Sequence, residues 1–268
     1  MEAMLELLTP IAIFFLLCLS ALVGRYVHRR MPDTVRTRET IETMQLVIGM
    51  LVTFAALVLG LLTASVKSSY DAADRDRHAY ALRLTQLDHC LRDYGADTAS
   101  IRSDLASYVA AVIASTWPHE KPPDGVRYPD VRGMPVIGAS PVLGSLMDRV
   151  GQKIRALTPK TSEQTATWES CRQDFHDVET TRMSVIEDAA ASLSAPFFWM
   201  LIFWLTVVFL ALGLVVPRNR IATLGVLLCA LSLSSAVFVI ADLSLPYRGL
   251  MAISSDAMRA TLAEMTAP

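Results

Sequence analysis

The residues best placed to do chemistry form one line of small and polar side chains. Gly49, Thr53, Ala56, Gly60, Thr63 and Lys67 fall at i, i+4, i+7, i+11, i+14 and i+18. That spacing puts all six on a single helical face. The surrounding stretch from Gln45 to Val66, QLVIGMLVTFAALVLGLLTASV, is otherwise rich in Leu and Val. A small-residue face inside an apolar helix has two uses: it lets backbones approach closely in helix packing, or it lines a permeation path. Lys67, Asp71 and Asp74 continue the line past the apolar stretch, and symmetric copies would form charged rings there. The plain alternative for these charges is a solvated helix face at a membrane edge, and their mixed signs select neither anions nor cations.

Other chemistry is sparse. Cys18 and Cys229 lie in apolar runs and read as small fillers, whereas Cys90 and Cys171 each sit on the apolar side of an amphipathic helix. In an oxidising compartment Cys90 and Cys171 could pair as a disulfide; two buried thiols are the alternative. A zinc site from His89, Cys90, Cys171 and His176 is disfavoured, because adjacent residues point to different helix faces. There is no phosphate loop, dinucleotide fingerprint, metalloprotease helix or nucleophile elbow, so the chain does not read as an enzyme and implies no cofactor. Asp242 and Arg248 bracket the end of an apolar run, with an ion pair from Asp242 to Arg248 or Lys67 as the simplest expectation. Arg182 interrupts an apolar seam, and either pairs with an acid of the long helix or reaches past the seam to water.

The elements that must position these residues are helices in a membrane. Of the 268 residues 53% are hydrophobic, and the excess falls in blocks rather than spreading along the chain. Four spans are expected, near Leu7–Val23, Gln45–Val66, Pro196–Val216 and Ile221–Leu243. The first is preceded by Glu2 and Glu6 and by no basic residue, so it reads as a retained span and not a signal peptide. The expected fold is all-α, with four transmembrane helices and a helical-bundle soluble domain inserted between spans 2 and 3. The divisions are residues 1–44 (first span and basic loop), 45–66 (second span), 67–195 (soluble domain), 196–243 (transmembrane hairpin) and 244–268 (tail with a short amphipathic helix).

Basic residues set the orientation. The first connection carries Arg25, Arg29, Arg30, Arg36 and Arg38, and the tight turn between the last two spans carries Arg218 and Arg220. Both loops are therefore assigned to the cytoplasm of a bacterial inner membrane, with both termini and residues 67–195 outside. A net charge of −2 offers no case for nucleic acid. The expected partners are the bilayer, further copies of the chain and inorganic ions as permeants.

Within the soluble domain, no Pro or Gly stops the second span's helix before Gly95, which suits a C-cap. Asp97 could cap the next helix, whose apolar stripe is Ile101, Leu105, Tyr108 and Val112. A Pro-rich excursion with Gly125, Gly133 and Gly138 follows Trp117, and Ser140-Pro141 opens a helix reaching about Leu157. A long helix begins near Ser162 with Trp168, Cys171, Phe175, Val178, Arg182, Val185 and Ala189 on one seam. Ser194 and Pro196 mark the start of the third span. Ser254-Ser255-Asp256 reads as the cap of a helix with Met258, Leu262 and Met265 on its apolar side.

Several of these runs together resemble a known family. Phe203-Trp204-Leu205 through Gly213-Leu214 to Pro217-Arg218-Asn219 is similar to its hairpin signature. Asp242 through Pro246-Tyr247-Arg248-Gly249-Leu250 to Ile253-Ser254-Ser255 is similar to its tail, with Pro-Tyr where Pro-Phe is usual. Asp93-Tyr94-Gly95, Ile101-Arg102 and Trp117-Pro118 match its middle. The chain thus resembles the bacterial bestrophin-like membrane proteins, a family of unknown function, from Gly49 to about Leu262. The resemblance implies likeness to bestrophins, oligomeric anion channels whose second span lines the pore. Bestrophins carry a large cytoplasmic helical part, whereas the arginines here put residues 67–195 outside, and no calcium or gating residue is carried over. Two functions are expected from these readings. One is an oligomeric channel with Gly49, Thr53, Ala56, Gly60 and Thr63 along its pore and Lys67, Asp71 and Asp74 at its mouth. The other is a non-conducting, membrane-anchored helical module that binds a partner or senses envelope conditions, using the Pro-rich excursion as its recognition loop.

Overall fold

The computed structural model of the chain describes residues 2–30, 32, 38–131, 134, 140–190, 195–217 and 219–267. Arg36, Gly133, Gly138, Ser194 and Arg218 lie outside the described residues. Among those described, all regular structure is helical. In order, α1 is Glu2–Arg30, α2 Arg38–Tyr94, α3 Ala99–Thr116, α4 Pro141–Ala156, α5 Ser162–Ala190, α6 Ala195–Val215, α7 Arg220–Leu243 and α8 Asp256–Thr266. Four of these, α1, α2, α6 and α7, are long and apolar enough to cross a membrane.

The long helix α2 has 57 residues and no Pro. It stops at Tyr94 because Gly95 takes a positive φ of 114°, a conformation open to glycine. A single 3₁₀ turn, Ala96–Thr98, leads into α3. Asp97 is not the cap of α3. Thr98 occupies that position, and its buried hydroxyl bonds back to the carbonyls of Leu91, in the last turn of α2, and Gly95. At α4 the side chain of Ser140 accepts from Val142 N at 3.2 Å and Pro141 sits at the first helical position.

The chain divides into two compact units. Unit 1 holds residues 1–69, 192–245 and 249–251, hence α1, the first part of α2, α6 and α7. Its core includes Ile13, Leu17, Ala55, Leu201, Leu205, Phe209 and Val237. Helices α1 and α6 cross at two glycines. A Cβ on Gly24 would overlap the carbonyl oxygen of Leu210, and one on Gly213 would overlap that of Ala21. Close crossing of this kind replaces the missing hydrophobic drive in lipid with direct backbone packing. The Ser20 hydroxyl, donating to Thr206 O at 2.6 Å, ties the same pair of helices together.

Unit 2 holds residues 70–191, 246–248 and 252–268. The part of α2 from Tyr70, with α3, α4, α5 and α8, encloses a core of Leu84, Leu87, Leu91, Leu105, Val109, Leu143, Met147, Phe175 and Val178. The segment set apart in sequence as a tail is shared: residues 246–248 and 252–268 pack into unit 2, and Met258, Leu262 and Met265 of α8 are buried there. Ser255 precedes α8 without a side-chain cap. Its hydroxyl bonds the Glu120 carboxylate, which also receives two bonds from Arg259 at 3.0 and 3.1 Å. The excursion after Trp117 is thereby fastened at its beginning, and Val126, Tyr128, Val131 and Met134 pack on the core.

Replacing Gly213 by alanine should destabilise the protein by about 1–3 kcal/mol, as overpacking does. Gly225→Ala, where an added Cβ meets nothing within 4 Å, should be neutral or slightly stabilising. Thermal unfolding of both variants in detergent checks the contrast.

Candidate pore-lining face

In unit 1 the first part of α2 meets its neighbours through one side only. Ile48, Ala55 and Val66 are buried, and Leu51, Val58, Leu59 and Leu62 are partly so. The opposite side carries the small and polar line. Gly49, Thr53, Ala56, Gly60, Thr63 and Lys67 are all exposed, and an added Cβ at Gly49 or Gly60 would meet nothing within 4 Å. From Gly49 to Thr63 the line therefore performs no packing inside a single chain. Thr53 and Thr63 donate to the carbonyls of Gly49 at 2.9 Å and Leu59 at 2.7 Å. Their donors are satisfied within the helix, and their remaining oxygen lone pairs stay available on the exposed face. Bulky residues flank the line: Leu46, Met50, Phe54, Leu57 and Leu61 are exposed as well. Only 11% of the most apolar window of α2 is buried, the smallest share among the four candidate spans.

The charged residues of the line differ in surroundings. Lys67 is exposed in unit 1, and Asp71 is half-buried in unit 2. Asp74 is engaged by Arg77 Nη2 at 2.7 Å. Arg77 is a residue that sequence reasoning missed. Its side chain is 5% exposed, its Nη1 donates to Ser254 O at 2.9 Å, and its Nε has no partner. It lines a cavity of about 20 Å³ in unit 2, room for about one water, together with Tyr80, Tyr108, Thr116 and Tyr247. The hydroxyls of Tyr80 and Tyr108 bond at 2.7 Å, and Arg182 Nε donates to Tyr108 at 3.1 Å. The arginine in the α5 seam thus reaches a phenol. Burial raises the Tyr108 pKa, with Arg182 opposing the shift, so the group stays a neutral phenol near neutral pH.

Two more acids were not legible as special. Asp88, 1% exposed, accepts from Arg102 Nε at 2.7 Å and Nη2 at 3.0 Å, a two-pronged clamp between α2 and α3. Its position on an otherwise polar-looking turn gave no signal beyond the Ile101-Arg102 match. Asp188 of α5 is pushed from its ordinary 3.8 to about 6, first by burial and then by Asp76, which also hydrogen-bonds it, and by Glu187. Cys90 and Cys171 are joined in a disulfide with Cα atoms 5.5 Å apart. His89 is bonded to Glu264 at 2.7 Å.

Asp242 is bound by backbone amides. It is buried in unit 1, and its two carboxylate oxygens accept from Leu250 N at 2.9 Å and Met251 N at 2.8 Å. Gly249, with φ of 86°, makes the turn, and a Cβ there would overlap the Asp242 carboxylate. Two backbone amides thus bind this carboxylate, which accounts for an Asp and a Gly seven residues apart here.

Comparison with known proteins follows from this geometry. The family model described as Bestrophin-like domain matches residues 14–258. Among curated proteins none matches. Solved structures do. A crystal structure of a bacterial Bestrophin homolog from Klebsiella pneumoniae, carrying a tryptophan-to-alanine mutation, superimposes with a TM-score of 0.69 at 16% identity, covering 97% of each chain. A leucine-to-threonine variant of the Klebsiella pneumoniae homolog gives 0.69 at 17% identity, covering 96% of this chain and 99% of that one. A third Klebsiella pneumoniae structure, obtained by Zn-SAD phasing, gives 0.68 at 14% identity over 95% and 96%. At such identities the likeness is one of fold.

The raised Asp188 pKa has a consequence for stability. A carboxyl whose folded pKa exceeds its unfolded value favours the native state while protonated, and that contribution disappears as pH rises through the folded value. Unfolding midpoints of the purified protein should therefore fall between about pH 4 and pH 6. Asp188→Asn should flatten that part of the profile, as followed by circular dichroism.

Proposed function

Because the chain belongs to the Bestrophin-like family, we propose that it forms a homo-oligomeric ion channel of the bacterial inner membrane, with the second span of each copy around the axis. One observation carries the reading: Gly49, Thr53, Ala56, Gly60 and Thr63 are exposed along one face, with open space where a Cβ would stand at Gly49 and Gly60. A helix face turned to acyl chains gains nothing from glycine and threonine, which give up apolar contact there. The same face turned to an axis leaves a lumen lined by backbone and hydroxyl oxygens. The flanking bulky residues, Leu46, Met50, Phe54, Leu57 and Leu61, then supply contacts to the neighbouring copies. Lys67, Asp71 and Asp74 belong to the mouth in this reading, with Asp74 held by Arg77.

The arrangement also bears on orientation. A disulfide between Cys90 and Cys171 suits an oxidising compartment, and the basic loops suit the cytoplasm, so both support a unit 2 outside the inner membrane.

Two measurements test the proposal. Purified protein in liposomes should pass small ions, and Gly60→Trp or Thr53→Phe should cut the flux at least about tenfold while the oligomer is retained by size; a lumen of this kind closes by steric block. Absence of flux across salts, pH values and voltages overturns the channel. For orientation, the protein isolated from cells with thiols blocked at lysis should shift on a gel when reduced, and Cys90→Ala should abolish the shift. Free Cys90 and Cys171 thiols in that material would place unit 2 in the cytoplasm.

A further inference from the structure

We propose that unit 1 carries a binding site for one anionic phospholipid, between α1, α6 and α7 at the arginine-bearing end of the spans. A cleft of about 430 Å³ opens there, lined by Arg25, Arg29, Asn219, Arg220 and Thr223. Beside it lies an apolar pocket of about 100 Å³, whose walls include Cys18, Ala21, Gly213 and Val226. Arg25, Thr223 and Leu227 line both, so the polar mouth and the apolar pocket adjoin.

The charge of the mouth is of one sign. Three guanidinium groups line it and, among the described residues, no acidic side chain does. Arg25 is directed by the Thr223 hydroxyl, to which its Nη2 donates at 3.1 Å. It stands one helical turn deeper along α1 than Arg29, so the two present charge at successive levels. Arg30 provides an internal contrast: it is turned onto Tyr26, with its guanidinium 5.3 Å from the ring centroid and bonded to the hydroxyl at 2.8 Å. Orientation by basic residues needs only charge near a span end, which Arg30 supplies without a cleft. The clustering of the other three over an apolar groove fits a ligand with a phosphate at one end and an acyl chain at the other. Guanidinium forks match phosphate oxygens, and basic pockets between spans take acidic headgroups. A free phosphate would use the mouth and have no need of the groove. The close glycine crossing of α1 and α6 shapes the groove wall, because Gly213 contributes to the apolar pocket.

The inference does not depend on conduction and is tested without it. Native mass spectrometry is run on the full chain in detergent with equal dioleoylphosphatidylglycerol and dioleoylphosphatidylcholine. The wild type should retain the phosphatidylglycerol in preference, one per subunit. Arg29→Gln with Arg220→Gln should reduce that preference about thirtyfold, at roughly a kcal/mol for each arginine near a charged headgroup. Arg30→Gln, which removes charge from the same end but outside the cleft, should leave it unchanged. Leu227→Trp, filling the groove, should lower phosphatidylglycerol retention, and millimolar inorganic phosphate should not displace the lipid. Circular dichroism confirms that each variant is folded. Equal retention of the two lipids by the wild type overturns the proposal, as does an equal loss in Arg30→Gln. Displacement by inorganic phosphate would mean a simple anion site. A change in subunit number in Leu227→Trp with lipid retention intact would mean that a second copy covers the groove.

Discussion

Everything in this chain depends on the demand that a backbone in hydrocarbon satisfy its own hydrogen bonds. Helices meet that demand internally, and the sequence supplies four segments that can do so. The demand also explains α2. Nothing between Arg38 and Tyr94 removes an amide donor or forces a turn, so the helix persists until a glycine can adopt positive φ. Once the backbone is settled, the remaining freedom lies in which side each helix shows to its neighbours. In unit 1 that choice is made by glycines at the α1–α6 crossing, where any larger residue would strike a carbonyl.

Unit 2 works under different rules. Its core is ordinary aliphatic packing, stitched by polar contacts that each bind two distant segments. The disulfide joins α2 to α5, Asp88 and Arg102 join α2 to α3, and Arg259 with Glu120 secures the chain after α3 to α8. Trp117 adds another such tie, its indole N–H donating to Ile253 O at 2.7 Å. These contacts make the last residues of the chain a structural part of the soluble unit. Charges are handled by pairing or by burial of a proton: Asp88 is met by a guanidinium, whereas Asp188, facing Asp76 and Glu187, is shifted toward the protonated form.

The basic end of unit 1 shows how one set of residues can serve two physical roles. Of the arginines that the positive-inside rule weighs in the sequence, Arg25, Arg29 and Arg220 line a cleft between helices after folding. Their distribution among partners is uneven: Arg30 is absorbed by its own helix neighbour, and Arg25 is steered by a threonine of another span. Insertion depends on charge alone, but recognition depends on where that charge is held.

Much was legible before any coordinates. Span number, the unbroken second helix, the Ser140-Pro141 start of α4, the long α5 and the amphipathic α8 all follow from local rules of hydropathy, capping and periodicity, which act within a few residues. The likeness to bestrophin homologs followed from short motifs whose purpose was opaque in one dimension. Asp242 and Gly249 acquire their meaning only when a turn brings two amides to one carboxylate. Asp97 falls in the 3₁₀ turn before α3, and Thr98 takes the position ahead of the helix while its hydroxyl bonds back to Leu91 and Gly95. By itself the sequence determined that six small and polar residues share one face of a membrane helix, because helical periodicity is a local property. Only the tertiary structure decided that this face is turned away from the chain's own core, because which side of a helix is buried depends on neighbours that come from distant parts of the chain.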